Sequence, residues 1–370
     1  MHDYIEQATP PLGFTLLQGL RLTRIRLTEH DTVPALASAQ HDRFVWQHKD
    51  MCVLVAAGND GTDKDGDGVI NLMSVTSPGT AKNCITVGAS ENDRSEFDGE
   101  AYGEWWPDDY PVAPFKNGDM ADNPGHIVAF SSRGPTADGR FKPDVLAPGT
   151  FVLSTRSTQI ALNNTAWAAF PPSRLYFHMG GTSMATPLTA GAVGLLRQHV
   201  RKKRVAGGPT AALLKALLIA STVRLPSPGA KRLVNNHQGY GLINLASALE
   251  PSQSRRLRMH NVSPGLRTGE EWQRTIRLSA AARLRVVLAY SDFPGPALVN
   301  NLNLIVTAPN GRRFVGNQIR AGSVTLDSAN NVEMVEVASA ASGEWRINVV
   351  GSNIPEGPQA FALVIIGRIA

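Results

Sequence analysis

The sequence predicts an α/β region followed by an all-β region. In residues 42–251, continuous apolar runs that are typical of buried parallel strands alternate with helical patterns. After residue 251 the apolar residues repeat with a period of two, which is typical of short antiparallel strands. The length of 370 residues also favours two domains, because a domain contains roughly 150 residues.

The first region contains two strand-like runs, at residues 51–57 and 84–89. The first run ends in Gly-Asn-Asp-Gly, a turn signal, and an aspartate-rich loop separates it from the second. Both runs lack polar alternation, so we expect two adjacent parallel strands that are buried on both faces. The predicted helices are residues 42–50, 183–204 and 209–223, of which the second is expected to pack against the sheet. Residues 1–41 show no stable period and remain an unassigned segment.

The second region, residues 252–370, contains short runs rich in Val, Ile, Leu and aromatic residues. Turn signals such as Pro-Asn-Gly at 309–311 separate them. The predicted strands are residues 275–278, 283–290, 302–307, 314–315, 332–337, 345–349 and 361–366. This density, about eight strands in roughly 110 residues, is typical of a β-sandwich or jelly roll.

The composition excludes several classes of protein. Lys and Arg total 36 and Asp and Glu total 31, which leaves a net charge of +5, and only 18% of residues are charged. We therefore expect no nucleic-acid partner, and we interpret the basic residues 201–204 as a solvated helix end. No apolar run is long enough to cross a bilayer, so no membrane partner is expected, and no secretory signal is readable. The oligomeric state is not encoded in the sequence.

Two cysteines are too few for a disulfide framework in a chain of this length. Cys52 and Cys84 each lie inside an apolar run, so we interpret both as buried thiols. A disulfide between them stays open, because the sequence does not give their separation.

Two short segments contain residue types suited to acyl transfer. Residues 181–187, GTSMATP, place Ser183 at the start of an apolar helix, where the helix dipole favours developing negative charge. Residues 56–59, AAGN, place Asn59 after a strand, where its amide could donate to an oxyanion. Taken singly, Ser183 could be an ordinary N-cap and Asn59 an ordinary turn residue.

These two segments resemble the nucleophile motif and the oxyanion-hole segment of the subtilisin-like serine proteases, the subtilases. Other segments resemble the same family in the same order: TSPG at 76–79, ITVGA at 85–89, FSSRGP at 130–135, KPDVLAPG at 142–149 and QGYGLIN at 238–244. The tail, with LVNNLNL at 298–304 and APNG at 308–311, resembles the alkaline branch that carries a C-terminal jelly-roll domain.

The resemblance implies a fold and a set of roles. Residues 42–251 would be the C-terminal half of a subtilase catalytic domain with a partial parallel sheet flanked by helices, and residues 252–370 a jelly-roll β domain. Ser183 would attack the scissile bond of a polypeptide, and Asn59 and the Ser183 N–H would stabilise the oxyanion. The residues implied in substrate binding are Ala56, Ala57, Gly58, Gly181 and Thr182. The family also implies secretion.

The chain departs from the family at the other half of the active site. A subtilase triad needs an aspartate in an Asp-Ser/Thr-Gly turn and a histidine in a His-Gly-Thr-His helix start, and the sequence contains neither. None of the nine histidines is followed by glycine, and the Ser-Trp-Gly segment of the specificity pocket is absent. His126 and His178 lie beside family motifs, but we interpret them as surface or structural histidines.

Without a base the serine is a poor nucleophile, so we expect this chain to be an inactive serine endopeptidase relative. Two alternatives stay open. The chain could be a truncated or frameshifted gene product, in which case one flank of the sheet should be exposed or covered only by residues 1–41. It could also be a pseudoprotease whose β domain binds a partner or a carbohydrate.

A calcium site is predicted in the aspartate-rich loop, where carboxylates alternate as in the opening half of an EF-hand. Its candidate ligands are Asp60, Asp63, Asp65 and Asp67. The alternative is a solvated acidic turn. In the β region, Asn301 and Asn303 stand where the family pattern has aspartates, so a second calcium site is expected to be weak there.

Overall fold

The computed structural model describes residues 36–161, 163–227, 232–249, 255–318 and 325–370. Most of the unassigned segment 1–41 therefore lies outside the described residues. The predicted domain boundary at 251/252 lies outside them too and stays a prediction.

A three-stranded parallel sheet forms from the buried apolar runs. Its strands are β1 (Leu54–Ala56), β2 (Ile85–Ser90) and β3 (Val145–Pro148), in the order β1-β2-β3. All six residues of β2 are buried, as expected of a middle strand that is covered on both faces. The prediction that the first two runs are adjacent parallel strands is confirmed. Among the described residues, no strand pairs with the outer edge of β1.

The described residues also form five helices. The structure describes α1 (Leu36–Gln47), α2 (Tyr102–Trp105), α3 (Thr182–Lys202), α4 (Ala211–Ser221) and α5 (Ala246–Leu249), with 3-10 turns at Ser95–Phe97 and Phe115–Asn117. Both long predicted helices are confirmed to within two residues at each end, and α3 packs against all three strands. Thr210 caps α4, its hydroxyl accepting the Leu213 N–H at 3.2 Å.

Helix α1 begins six residues before the predicted start at residue 42. Asp42 therefore lies in the middle of the helix, and it is buried. Its carboxylate accepts the Lys82 N–H at 3.2 Å and the Asn83 N–H at 2.8 Å. The predicted start at residue 42 was wrong, because Asp42 lies within the helix and makes a long-range contact that the local sequence pattern does not show.

A small antiparallel sheet precedes α3 and was not predicted. It contains β4 (Val152–Thr155), β5 (Ala168–Ala169) and β6 (Tyr176–Met179), in the order β4-β6-β5. Most of its residues are at least partly exposed, so the sequence shows little apolar pattern.

The β region consists of two four-stranded antiparallel sheets, ordered β11-β10-β13-β8 and β12-β9-β14-β7. Their strands are β7 (Arg256–Leu266), β8 (Glu271–Leu278), β9 (Ala282–Ala289), β10 (Asn301–Thr307), β11 (Arg313–Val315), β12 (Val332–Ala340), β13 (Gly343–Asn353) and β14 (Gln359–Gly367). Apolar residues of both sheets share one core that includes Val286, Leu304 and Trp345. All seven predicted strands are confirmed. The sequence missed β7, whose exposure does not alternate regularly. The jelly-roll connectivity stays a prediction.

The β region packs directly on the α/β region. Helix α4 contacts β9 and β14, and apolar residues from all three belong to one buried cluster. Beside it, the buried Lys82 ammonium donates to Asp292 Oδ2 at 2.7 Å and to the carbonyls of Phe293 and Ala297 at 2.9 and 2.6 Å. Loss of one partner of such a buried ion pair lowers stability by about 3–5 kcal/mol. Because its two partners belong to different regions, this ion pair favours one arrangement of the α/β and β regions.

Cys52 and Cys84 are both free thiols, so they form no disulfide with each other. Within the described ranges, no helix combines the length and the apolar character needed to cross a bilayer.

Candidate active site

The end of β1 presents Asn59 at the carboxyl edge of the parallel sheet. The turn after β1 requires glycine at position 58, because φ is +105° there and a Cβ atom would lie 2.8 Å from Ser132 Oγ. The Gly58 carbonyl also accepts the Ser132 N–H at 3.0 Å, which fixes the turn. Asn59 is exposed and lies at the edge where parallel sheets bind ligands.

Helix α3 begins at the same edge and carries Ser183 in its first turn. Gly181, just before the helix, has φ +131° and donates its N–H to the Gly149 carbonyl at 2.7 Å. Thr182 is fully buried, whereas Ser183 is exposed. N–H groups of a first turn have no acceptor within the helix and lie at the positive end of its dipole. The Ser183 N–H is therefore suited to stabilise negative charge on a bound molecule.

Hydrogen bonds from Thr182 hold Asn59 beside this helix start. Asn59 Oδ1 accepts the Thr182 N–H at 2.9 Å and the Thr182 hydroxyl at 3.1 Å. The same hydroxyl accepts the Gly58 N–H at 3.2 Å. Because both Thr182 donors use the amide oxygen, the amide nitrogen is the side of Asn59 that is left to donate. An oxyanion donor needs this orientation.

The structure brings the residues predicted to bind substrate to the two segments that carry Asn59 and Ser183. Ala56 ends β1, and Ala57 continues its pairing by donating an N–H to the Val87 carbonyl at 2.9 Å. Gly58, Gly181 and Thr182 form the contacts described above. The role of all five in binding substrate stays a prediction.

Among the described residues, no hydrogen bond joins the Ser183 hydroxyl to a histidine. His178 is buried in β6, with its ring 4.9 Å from that of Phe97 in an edge-to-face contact. His126 is half exposed and lies 3.5 Å from the Glu91 carboxylate. The interpretation of both histidines as structural or surface groups stays a prediction.

The sequence model of the subtilase family matches residues 23–241, more than half of the chain. The chain belongs to the subtilase family. Curated relatives include the serine protease/ABC transporter B family protein tagD of Dictyostelium discoideum, which is 27% identical over 88% of this chain and 24% of its own length. The serine protease AprX of Bacillus subtilis is 34% identical over 40% of this chain and 26% of its own length. The subtilase chain thus spans about a quarter of the length of these relatives.

Solved structures of proteases also resemble the subtilase chain. A lanthipeptide protease is 19% identical, with a TM-score of 0.36, and the match covers 58% of this chain and 54% of that one. The patellamide maturation protease PatA is also 19% identical, with a TM-score of 0.34 over 57% of this chain and 54% of that one.

The acidic loop of the subtilase brings together three of the four aspartates predicted to bind calcium. Carboxylate oxygens of Asp63, Asp65 and Asp67 lie within 4.8 Å of one another, and Asp60 is outside this group. Asp63 is fully buried and accepts the Asp67 and Gly68 N–H groups at 3.1 Å. Burial raises the pKa of Asp63 above its usual value, and these N–H groups oppose the shift. The backbone therefore preorganises the loop, while its three carboxylates repel one another.

An aromatic cluster beside the nucleophile segment was missed by the sequence analysis. The Trp167 ring lies over Gly180, where a Cβ atom would come within 2.1 Å of it. The centroid of the Trp167 ring is 5.1 Å from that of Trp105 and 5.0 Å from that of Phe151. Gly180 immediately precedes the GTSMATP segment. Its lack of a side chain was the only local sequence signal that another group packs closely there.

We predict that Gly180→Ala lowers the free energy of unfolding by about 1–3 kcal/mol, because the new methyl group overpacks a rigid indole ring. The matched control is Gly191→Ala in the exposed face of α3, where a Cβ atom meets nothing within 4 Å. There alanine should raise the free energy of unfolding by about 0.5–1 kcal/mol. Urea unfolding of both variants measures the difference. Equal effects of the two changes would contradict the packing of Trp167 on Gly180.

Proposed function

We propose that this subtilase chain carries the nucleophile and oxyanion half of a serine-endopeptidase site and does not hydrolyse peptides by itself. Ser183 is the nucleophile, and Asn59 Nδ2 and the Ser183 N–H are the oxyanion donors. The observation that carries this proposal is the pair of hydrogen bonds from Thr182 to Asn59 Oδ1, at 2.9 and 3.1 Å, which use the amide oxygen and leave the amide nitrogen to donate.

The proposed chemistry is acyl transfer to Ser183 from a polypeptide. When Ser183 Oγ bonds to the carbonyl carbon, the carbonyl oxygen becomes negative, and two N–H donors at the sheet edge stabilise it. The same step requires that Oγ lose its proton and that the leaving amine gain one. A histidine performs both transfers in a complete triad. This sequence contains no histidine or aspartate in a triad motif, so the proposal leaves the Oγ proton without the acceptor that a complete triad supplies.

Each of the two predicted domains has a role in this proposal. Residues 42–251 supply the half-site, and residues 252–370 support it through the packing of α4 on β9 and β14. The segments at 56–58 and 181–182 would contact the substrate backbone, as the family resemblance implies. We assign the β region this supporting role because its strands β9 and β14 pack on α4.

We predict that a fluorophosphonate probe labels the wild-type chain no faster than Ser183→Ala. In subtilisin, a member of the same family, loss of the catalytic base reduces kcat by about 10⁶. Hydrolysis of a fluorogenic peptide should likewise stay at the level of the variant. Labelling is measured by intact-mass spectrometry over hours.

The matched control is Ser157→Ala, since Ser157 is an exposed serine outside the proposed site. It should behave as the wild type does. Rapid labelling and turnover that Ser183→Ala abolishes and Ser157→Ala preserves would show that some histidine of the chain acts as the base.

We also propose that the loop containing Asp63, Asp65 and Asp67 binds a structural Ca²⁺. Three carboxylates converge there, and the ammonium of Lys64, which lies in the same loop, pairs with Asp109 at 3.2 Å. A divalent cation would relieve their repulsion, and flexible oxygen ligands suit Ca²⁺ better than Mg²⁺, which requires a tight octahedron. The ion would stabilise the loop that follows Asn59 and would take no part in proton transfer.

We predict that Ca²⁺ raises the melting temperature of the wild-type chain and not that of Asp65→Ala/Asp67→Ala. The control variant Asp98→Ala/Asp108→Ala removes two other exposed carboxylates and should keep the response. Calorimetric scans with Ca²⁺ and with a chelator provide the comparison. Identical wild-type scans in the two conditions would contradict the proposed site.

A further inference from the structure

A buried carboxylate with an unused oxygen lies directly after β2. Glu91 is only 3% exposed. Its Oε1 accepts the Tyr102 hydroxyl at 2.9 Å, whereas its Oε2 makes no hydrogen bond with any of the residues that the structure describes. An unsatisfied buried carboxylate oxygen is costly, so a missing partner is expected there.

The unused oxygen faces two further ligand-bearing side chains. Glu91 donates its N–H to the His126 carbonyl at 3.0 Å, which brings a distant turn of the chain beside β2. Ligand atoms of Glu91, Asp122 and His126 all lie within 4.8 Å of one another. His126 Nδ1 is 3.5 Å from Glu91 Oε2. Asp122 and His126 are exposed, so an ion has access from solvent.

We propose that Glu91, Asp122 and His126 form a binding site for a divalent first-row transition metal, with Zn²⁺ as the reference ion. One imidazole nitrogen and two carboxylates suit such an ion, whereas the all-oxygen acidic loop suits Ca²⁺. Three protein ligands leave further positions for water. The site lies apart from Ser183 and is independent of the proposed function.

Asn123 contacts the other nitrogen of the imidazole, with Nδ2 3.1 Å from His126 Nε2. A metal ion on Nδ1 leaves the proton on Nε2, so the exposed Asn123 amide must turn its oxygen toward that proton. Its present contact, Oδ1 with the Gly125 N–H at 2.9 Å, is then lost. Such an outer partner orients the ligating ring.

The proposed metal would tie the turn at residues 122–126 to the sheet edge that carries the half-site. Next to Glu91, the Ser90 carbonyl accepts the Gly149 N–H at 2.9 Å, and the Gly149 carbonyl accepts the Gly181 N–H at 2.7 Å. Two backbone hydrogen bonds therefore separate the metal site from the start of α3. The inferred role is structural, because neither Ser183 nor Asn59 contacts this cluster.

Calorimetric titration of the full chain with Zn²⁺ tests this site. The protein is stripped with a chelator, dialysed and held in excess Ca²⁺, so that the acidic loop is occupied. We expect one equivalent of Zn²⁺ to bind, and His126→Ala to weaken binding by about tenfold or more. His48→Ala, a change at another exposed histidine, should bind as the wild type does. Co²⁺ should give visible absorption bands that His126→Ala removes.

Glu91→Gln provides a second variant, since its amide oxygen can still accept the Tyr102 hydroxyl. It should also weaken Zn²⁺ binding by about tenfold or more. If Glu91→Gln fails to fold, Zn²⁺ titration of His126→Ala still tests the proposal, because His126 is exposed and its replacement leaves the core unchanged. Absence of Zn²⁺ binding by the wild type, or equal affinity of the wild type and His126→Ala, would overturn the proposal.

Discussion

The hydrogen bonds between Thr182 and Asn59 join the two segments that we propose as the nucleophile and the oxyanion donor of an active site. They link the end of β1 to the start of α3, although the two residues are far apart in the chain. A single hydrogen bond contributes only about 1 kcal/mol to stability. Here, however, two hydrogen bonds share the Asn59 Oδ1 acceptor and so determine that the amide nitrogen is the atom left to donate. Glycines at 58 and 181 allow the close approach, because each has a positive φ.

Packing of the β region on α4 stabilises the region that carries Asn59 and Ser183. Apolar residues of α4, β9 and β14 share one buried cluster with β2, β3 and α3. The Lys82 ammonium and the Asp292 carboxylate form a buried ion pair. The ammonium makes three hydrogen bonds, and a buried pair is tolerated when its remaining donors have such partners. The α/β region and the β region therefore meet in one fixed arrangement.

Much of the fold could be predicted because its signals are local. The continuous apolar run that contains β2 indicates a buried parallel strand, and glycines followed by Thr182 and Ser183 mark the start of a helix. The features that were missed depend on distant contacts. Asp42 is explained by N–H groups some forty residues away, and Gly180 by the ring of Trp167. Glu91 meets His126 only because a long loop returns to β2.

Chemical rescue by imidazole tests most directly whether the chain contains a nucleophile and an oxyanion hole without a base. Hydrolysis of p-nitrophenyl acetate is measured for the wild type and Ser183→Ala over a range of imidazole concentrations. The difference between the two rates should be zero without imidazole and should rise with its concentration. A Ser183-dependent rate without imidazole would mean that the chain has its own base. Equal rates at every concentration would mean that Ser183 is not a nucleophile.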